Sequence, residues 1–229
     1  MIKVHNNLIE SDSLTNITDI FKDSINYIYE TLNKGEELNH FYRKKLETDN
    51  LLNYLIQWRI LSKIKITNLL NDEFINEIKN HFNDDFLIFN MVFTHYSVRL
   101  EFPSKSRTDE IFGDLHYDNY ENMNTLSTWI PLHDINSQTG GLLVAFDKKD
   151  EIKLNEKYFN NSNLSYTSYN SYKFYKLCCN KCDVVFFNKN LLHGSIASKS
   201  QSRMSIDLRF ISKKEYEINK ELFNESYIN

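Results

Sequence analysis

Apolar and polar positions along the chain change period once, near residue 85. Before that point the spacing is helical. Ser13 is placed to cap a segment with apolar residues at Ile17, Ile20, Phe21, Ile28 and Leu32, and Gly35 stands where a left-handed residue would end it. A longer helix is predicted over 37–62, with Leu51, Leu52, Leu55, Ile56 and Ile60 apolar, and a short third one over 72–80. These helices read as scaffold packed on one face of the main fold, with a dimer surface as the lesser alternative.

From Asp85 the period shortens to that of strands. Residues 86–94 form a nearly continuous apolar run, and Tyr96, Val98, Leu100 and Phe102 alternate with polar neighbours. Further strands are predicted over 125–132, 142–146, 183–187, 191–195 and 203–211, with a turn at Thr139-Gly-Gly141. Short strands punctuated by turns point to an antiparallel sandwich or barrel. The segment 147–180 shows no core pattern and holds Tyr158, Tyr166, Tyr169, Tyr172 and Tyr175. It reads as a solvated loop or as a lid whose tyrosines could stack on a flat polar substrate. Residues 213–224 suit a closing helix. The expected organisation is one domain over 1–229, with a helical scaffold at 1–83, a jelly-roll core at 84–212 and a tail at 213–229.

Composition narrows the class. Hydrophobic residues make up 41% and charged residues 25%, enough for a packed core and against disorder. A net charge of −4 gives no basic surplus, so neither nucleic acid nor an anionic membrane is expected as partner. No apolar run is long enough to span a bilayer, and Met1-Ile-Lys-Val-His5 lacks the apolar stretch of a signal peptide; a cytoplasmic monomer or homodimer acting on a small molecule is expected. Cys178, Cys179 and Cys182 form one cluster, an odd number without a second pair. Reduced thiols are expected rather than a disulfide framework or a zinc site.

The chemistry concentrates at Gly113-Asp-Leu-His116-Tyr-Asp118. In extended backbone, residues two apart point the same way, so His116 and Asp118 can aim at one point. Isolated, the pair would more often be surface polar groups. Farther on comes Asp183-Val-Val-Phe-Phe, then Leu191-Leu-His193-Gly-Ser195, then Arg203 opening another strand. Two imidazoles and one carboxylate make a facial triad that leaves positions open on a divalent iron. On the last strand Arg203, Ser205, Asp207 and Arg209 share one face, while Met204, Ile206, Leu208 and Phe210 share the other. Arg203 is placed to match a carboxylate through a two-pronged contact, with Arg209 as its rival. His5, His40, His81, His95 and His133 have no partner pattern, and Arg99 and Tyr96 sit on an early strand within possible reach of a pocket.

In this order and spacing, His116-x-Asp118, Trp129-Ile-Pro-Leu132, Thr139-Gly-Gly141, Asp183-Val-Val-Phe-Phe, His193-Gly-Ser195 and Arg203 resemble the phytanoyl-CoA dioxygenase family, over roughly residues 84–212. Ectoine hydroxylase and several antibiotic- and carbohydrate-cluster oxygenases belong to the same group. The resemblance implies an α+β fold with a double-stranded β-helix (jelly-roll, cupin-like) core. It implies Fe(II) on His116, Asp118 and His193, 2-oxoglutarate as co-substrate and O2 as oxidant. It implies Arg203 as anchor for the far carboxylate, helped by Ser195, with Trp129 near the co-substrate. Related halogenases lack the carboxylate that Asp118 supplies, so its presence points to an oxygenase. Two departures stand out: Leu142-Leu-Val-Ala-Phe-Asp147 replaces a Pro-Gly-Ser-His segment, and Cys182-Asp183 replaces a Gly-Asp turn. The implied reaction is oxidation of a C–H bond, and the polar, Tyr-rich segment with no basic surplus leans toward a small polar metabolite such as a carbohydrate or a natural-product intermediate. A silent jelly-roll that binds a sugar or small acid, and a metal-dependent oxygenase without 2-oxoglutarate, remain as alternatives.

Overall fold

The computed structural model describes residues 2–32, 56–57, 59–88, 96–101, 111–118, 123–136, 138–150, 154–162, 169–196 and 203–222. Two antiparallel sheets face each other. The major sheet runs in the order β1 (Ile2–His5), β9 (Val184–Asn188), β5 (Thr125–Pro131), β11 (Arg203–Ser212) and β2 (Phe86–Ile88), with β3 (Tyr96–Glu101) also paired to β11. The minor sheet runs β4 (Ile111–His116), β10 (Leu192–Ile196), β6 (Gly141–Asp147), β8 (Tyr172–Leu177) and β7 (Phe159–Asn161). This is the expected double-stranded β-helix.

Period-2 alternation gives the major sheet its two faces. Leu126, Ile130, Phe186, Ile206, Leu208 and Phe210 point outward into one buried cluster, while Trp129, Val185 and Phe187 point inward toward the minor sheet. The outward cluster is closed by helices. Helix α1 (Ser11–Leu32) buries Leu14, Ile17 and Phe21, a spacing of three and four that makes one stripe. Helix α2 (Asp72–Phe82) begins where the Asn71 side chain accepts from the Phe74 amide at 2.8 Å, carries Asp72 and Glu73 on its positive end, and stops at Asn83 in left-handed backbone. Phe74 seats α2 on the sheet, 5.4 Å from the Phe186 ring and 6.1 Å from that of Phe210. Burying such a ring is worth roughly 1.5–3 kcal/mol. After β11, Ser212 caps α3 (Lys213–Ile218), which buries Tyr216.

Several expectations change. Helix α1 starts at Ser11, so Ser13 lies in its first turn rather than capping it. Gly35 and most of 37–62 lie outside the described residues; Ile56 and Ile60, which are described, are buried. The strand expected over 86–94 is β2 as far as Ile88, and residues 89–95 lie outside the description. Residues 2–5, read with the helical first third, are instead the edge strand of the major sheet, in register Ile2↔Phe187 to His5↔Val184. The segment 147–180 is not simply a loop. It supplies β7 and β8, with Phe174 and Leu177 buried and Leu143↔Lys176 through Asp147↔Tyr172 in register. Tyr158 is buried and its hydroxyl bonds Asn6; Tyr166 lies outside the described residues.

Two tight turns set the strands that carry the site. Gly141 has φ +146°, and a Cβ there would fall 2.9 Å from Ile135 Cγ2, so only glycine fits. At Cys182, in the position of the family's glycine, φ is +79°, a left-handed value a side chain rarely adopts. The buried Asp183 carboxylate ties this turn down by accepting from the Asn7 amide at 3.1 Å and the Asn180 amide at 2.8 Å. The three cysteines are free thiols. Among the described residues, no helix is long and apolar enough to cross a membrane.

Candidate metal centre and active site

Pairing of strands explains why two distant histidines meet. In the minor sheet His193 of β10 is the direct partner of His116 on β4, and the two rings stand 4.4 Å apart. Asp118 follows β4 by two residues. Its Oδ1 lies 3.9 Å from Nε2 of both His116 and His193, and the three ligand atoms all fall within 4.8 Å of one another. His116 is half exposed at the mouth, whereas Asp118 and His193 are buried.

Neighbouring groups orient these side chains. His193 Nδ1 lies 3.0 Å from the Leu191 carbonyl. A carbonyl only accepts, so Nδ1 carries the proton and Nε2 turns a lone pair toward the cluster. The Phe187 ring meets His193 edge-on at 4.9 Å. Burial, only partly countered by Asp118, holds the His193 imidazole below its ordinary value, which keeps it neutral and fit to bind a metal. Asp118 is held from the opposite sheet. Ser127 Oγ donates to Oδ2 at 2.6 Å, and Arg209 Nη2 lies 3.4 Å from Oδ1. Ser127 and Arg209 are themselves cross-strand partners on β5 and β11. Burial alone would raise the Asp118 carboxyl; Arg209, then His193, the Ser127 bond and His116 outweigh it and leave the carboxyl below its usual range.

His116, His193, Ser127 and Arg209 border a cavity of about 270 Å³ between the sheets, which Arg203, Ser195, Trp129 and Arg99 also line. Arg203 is buried, 3% exposed, and donates to the Gly141 carbonyl at 3.1 Å and to Ser195 Oγ at 3.3 Å. Trp129 serves two ends at once: it belongs to the buried cluster between the sheets and forms part of the cavity wall. Of the six residues expected at the site from sequence, His116, Trp129, His193, Ser195 and Arg203 line this space, and Asp118 adjoins it through the two histidines.

Sequence reasoning missed Ser127 and undervalued Arg209 and Arg99. Arg209 engages Asp118 rather than standing free as a second anchor. Arg99 lines the cavity and its Nε donates to Asp207 at 3.0 Å. Ser127 shares a face with Trp129, two residues on, and that alternation was the one available signal. Tyr117 turns away between two members of the triad. Its hydroxyl lies 3.1 Å from that of Tyr172, and this bond first, then burial, pushes its phenol up to about 12. Of the remaining histidines, His5 pairs with Glu77 at 3.1 Å and His133 Nε2 accepts from the Met204 amide; His40 and His95 lie outside the described residues.

Two imidazole nitrogens and a carboxylate oxygen converging beside an open cavity suit a divalent iron that keeps positions for other ligands. The family described as phytanoyl-CoA dioxygenase (PhyH) matches residues 104–205, a span that contains His116, Asp118, His193 and Arg203. No curated protein matches the chain by sequence. Among solved structures, HygX from Streptomyces hygroscopicus, with nickel and 2-oxoglutarate bound, is 11% identical with a TM-score of 0.51, covering 93% of this chain and 83% of its own. The non-heme alpha-ketoglutarate-dependent epimerase SnoN from nogalamycin biosynthesis is 14% identical, covering 61% of this chain and 52% of its own, with a TM-score of 0.42. AviO1 from Streptomyces viridochromogenes Tue57 is 18% identical, covering 67% of this chain and 65% of its own, with a TM-score of 0.45. The chain thus spans about half to two-thirds of the length of the last two. The likeness to HygX establishes the shared fold, and the family match, over residues 104–205, marks the segment that carries His116, Asp118 and His193 as similar to phytanoyl-CoA dioxygenase.

Proposed function

We propose that the chain oxidises a C–H bond of a small polar metabolite, with Fe(II) held by His116, Asp118 and His193 and 2-oxoglutarate held by Arg203. The observation that carries this reading is the convergence of the three ligand atoms within 4.8 Å beside a cavity that Arg203 also lines. When bound, the iron with its co-substrate supplies the oxidising power: one O2 and one 2-oxoglutarate become succinate, carbon dioxide and the oxygen atom placed on the substrate. The chain's own residues provide position. Ser127 and Arg209 keep Asp118 ionised and fix which oxygen faces the histidines. The Leu191 carbonyl fixes the tautomer of His193. Arg203, itself aimed by the Gly141 carbonyl and Ser195, presents a planar cation to a carboxylate. Trp129 walls the space and excludes water. Asp118 would supply the carboxylate in whose absence a halide could bind, which favours oxygen transfer. We further propose that residues 1–229 act as one domain, the helices serving as scaffold.

The direct test is an anaerobic titration with iron(II) and 2-oxoglutarate, followed through the weak visible metal-to-ligand charge-transfer band. The band should form in the wild type and weaken in Asp118→Ala and Arg203→Ala. Iron binding without any band would remove 2-oxoglutarate from the account. Absence of iron binding would leave a jelly-roll binding protein.

A further inference from the structure

Three arginines line the cavity, and they differ sharply in how they are held. Arg203 is 3% exposed and engaged by Gly141 and Ser195, at the place proposed for the co-substrate. The Arg209 side chain is 13% exposed and lies against Asp118. The Arg99 side chain is 54% exposed, on β3 at the rim, and its described bond is a single one from Nε to Asp207, whose side chain is 17% exposed. Strand register places this group. Arg99 is paired with Ser205, and Asp207 and Arg209 follow at alternate positions on the inward face of β11. Two guanidiniums, Arg99 and Arg209, thus flank the single carboxylate of Asp207.

The charges do not cancel. Among the described residues at the site, three guanidiniums face two carboxylates, those of Asp118 and Asp207. A divalent metal and a dianionic co-substrate would offset each other, so among these described groups one positive charge would remain. The chain as a whole carries −4, so this surplus is local and not a reflection of a basic protein. A guanidinium has five N–H donors in a fixed fork. A bond from Nε consumes one and pins the plane, which lowers the entropy cost of receiving a ligand on the other edge. An exposed cross-strand ion pair contributes little to stability, so folding alone is a weak reason for Arg99 to stand at a cavity mouth.

We propose that Arg99, held in place by Asp207, receives an anionic group of the primary substrate, a carboxylate or a phosphoryl group. This rests on the oxygenase reading of the same site and deepens it by naming the substrate's chemical class. The neutral remainder of the substrate would then lie between Arg99 and the triad, with the anion fixing which C–H bond faces the metal.

The experiment uses the full chain loaded with manganese(II) in place of iron and saturated with 2-oxoglutarate. Loading is measured first, through water-proton relaxation; failure to load would sink the oxygenase reading and the present proposal with it. Inorganic phosphate is then titrated at constant ionic strength and its 31P relaxation recorded, with 13C-labelled acetate in a parallel arm. The bound metal relaxes only nuclei that come close to it, so surface binding elsewhere is silent. Expected is a saturable enhancement in the wild type whose midpoint rises at least fivefold in Arg99→Gln, is partly restored in Arg99→Lys and is unchanged in Lys63→Gln, an exposed lysine outside this cavity. The stronger arm assigns phosphoryl or carboxylate. Successful loading with no saturable enhancement in either arm would overturn the proposal alone. So would a midpoint indifferent to Arg99, or one that rises in proportion to 2-oxoglutarate and so places the probe in the co-substrate's position.

Discussion

Under the proposed assignment, replacing Arg203 should separate co-substrate binding from metal binding. The side chain is buried, and its guanidinium sits within 3.1 Å of the Gly141 carbonyl and 3.3 Å of Ser195 Oγ, so its plane is set before any ligand arrives. Truncating one partner of a buried, hydrogen-bonded charge pair costs about 2–5 kcal/mol. At 1.4 kcal/mol per decade, Arg203→Ala should weaken 2-oxoglutarate roughly 30- to 4,000-fold. Arg203→Lys keeps the charge and loses the fork; at about 1.5–3 kcal/mol for one charged hydrogen bond, it should fall roughly 10- to 100-fold. Iron should bind nearly as before, because no atom of Arg203 belongs to the cluster formed by His116, Asp118 and His193. The assay is an anaerobic 2-oxoglutarate titration at fixed iron, with iron affinity determined separately and the thermal midpoint as a check on folding. Arg209 is the rival anchor on the same face, and its contact with Asp118 puts it beside the metal instead. A large loss in Arg209→Gln together with a change under threefold in Arg203→Ala would refute the assignment and exchange the two roles.

Other consequences follow from the same geometry. Ser127→Ala removes the 2.6 Å bond that fixes Asp118 Oδ2, and iron affinity should drop about 10- to 100-fold in a metal titration. Gly141→Ala forces a side chain into backbone at φ +146° and a Cβ to 2.9 Å from Ile135. Strain and overpacking of about 1–3 kcal/mol each should lower the thermal midpoint by roughly 4–24 °C, read by calorimetry. The metal-free protein should lose stability on acidification below pH 6.5, because burial, the largest cause in each case, holds His5, His81 and His193 below that ordinary value. The unfolded chain then binds more protons than the folded one, so stability rises with pH and its gain is complete above 6.5. Denaturant titrations from pH 5 to 7.5 check this, and an unfolding free energy flat across that range would contradict it.

The parts of the site readable in sequence are those that alternation carries. Arg203, Asp207 and Arg209 fall on one face of β11 because residues two apart must, and Ile206, Leu208 and Phe210 on the other face bury themselves against the helices for the same reason. What escaped depends on register between distant strands. Ser127 and Arg209 become neighbours only because β5 and β11 pair at that residue, and β8 is a strand because β6 stands beside it. Its own sequence, Tyr172-Lys-Phe-Tyr-Lys-Leu177, buries only Phe174 and Leu177 and looks like surface. Four residues at the N-terminus are too few to show a period, and their strand exists by pairing with β9.

The division of labour between the sheets has a functional consequence. The minor sheet supplies both histidines, as direct partners on β4 and β10, whereas the groups that orient Asp118 come from β5 and β11 of the major sheet. The proposed co-substrate anchor bridges the two, since Arg203 leaves the major sheet to bond Gly141 and Ser195 of the minor one. Metal geometry and sheet-to-sheet distance are therefore coupled. A substitution that loosens the packing between sheets, at Trp129 or Phe187, would disturb Asp118 relative to the histidines without touching any ligand. The turn at Cys182 acts on the same coupling, because it launches β9, whose Phe187 meets His193 edge-on. Its left-handed backbone is tolerated because the Asp183 carboxylate accepts from two main-chain amides and the Cys182 carbonyl accepts from the Ile9 amide at 3.2 Å. Glycine at that position in the family and cysteine here are thus two routes to one backbone, the second depending on local hydrogen bonds where the first depends on the missing side chain.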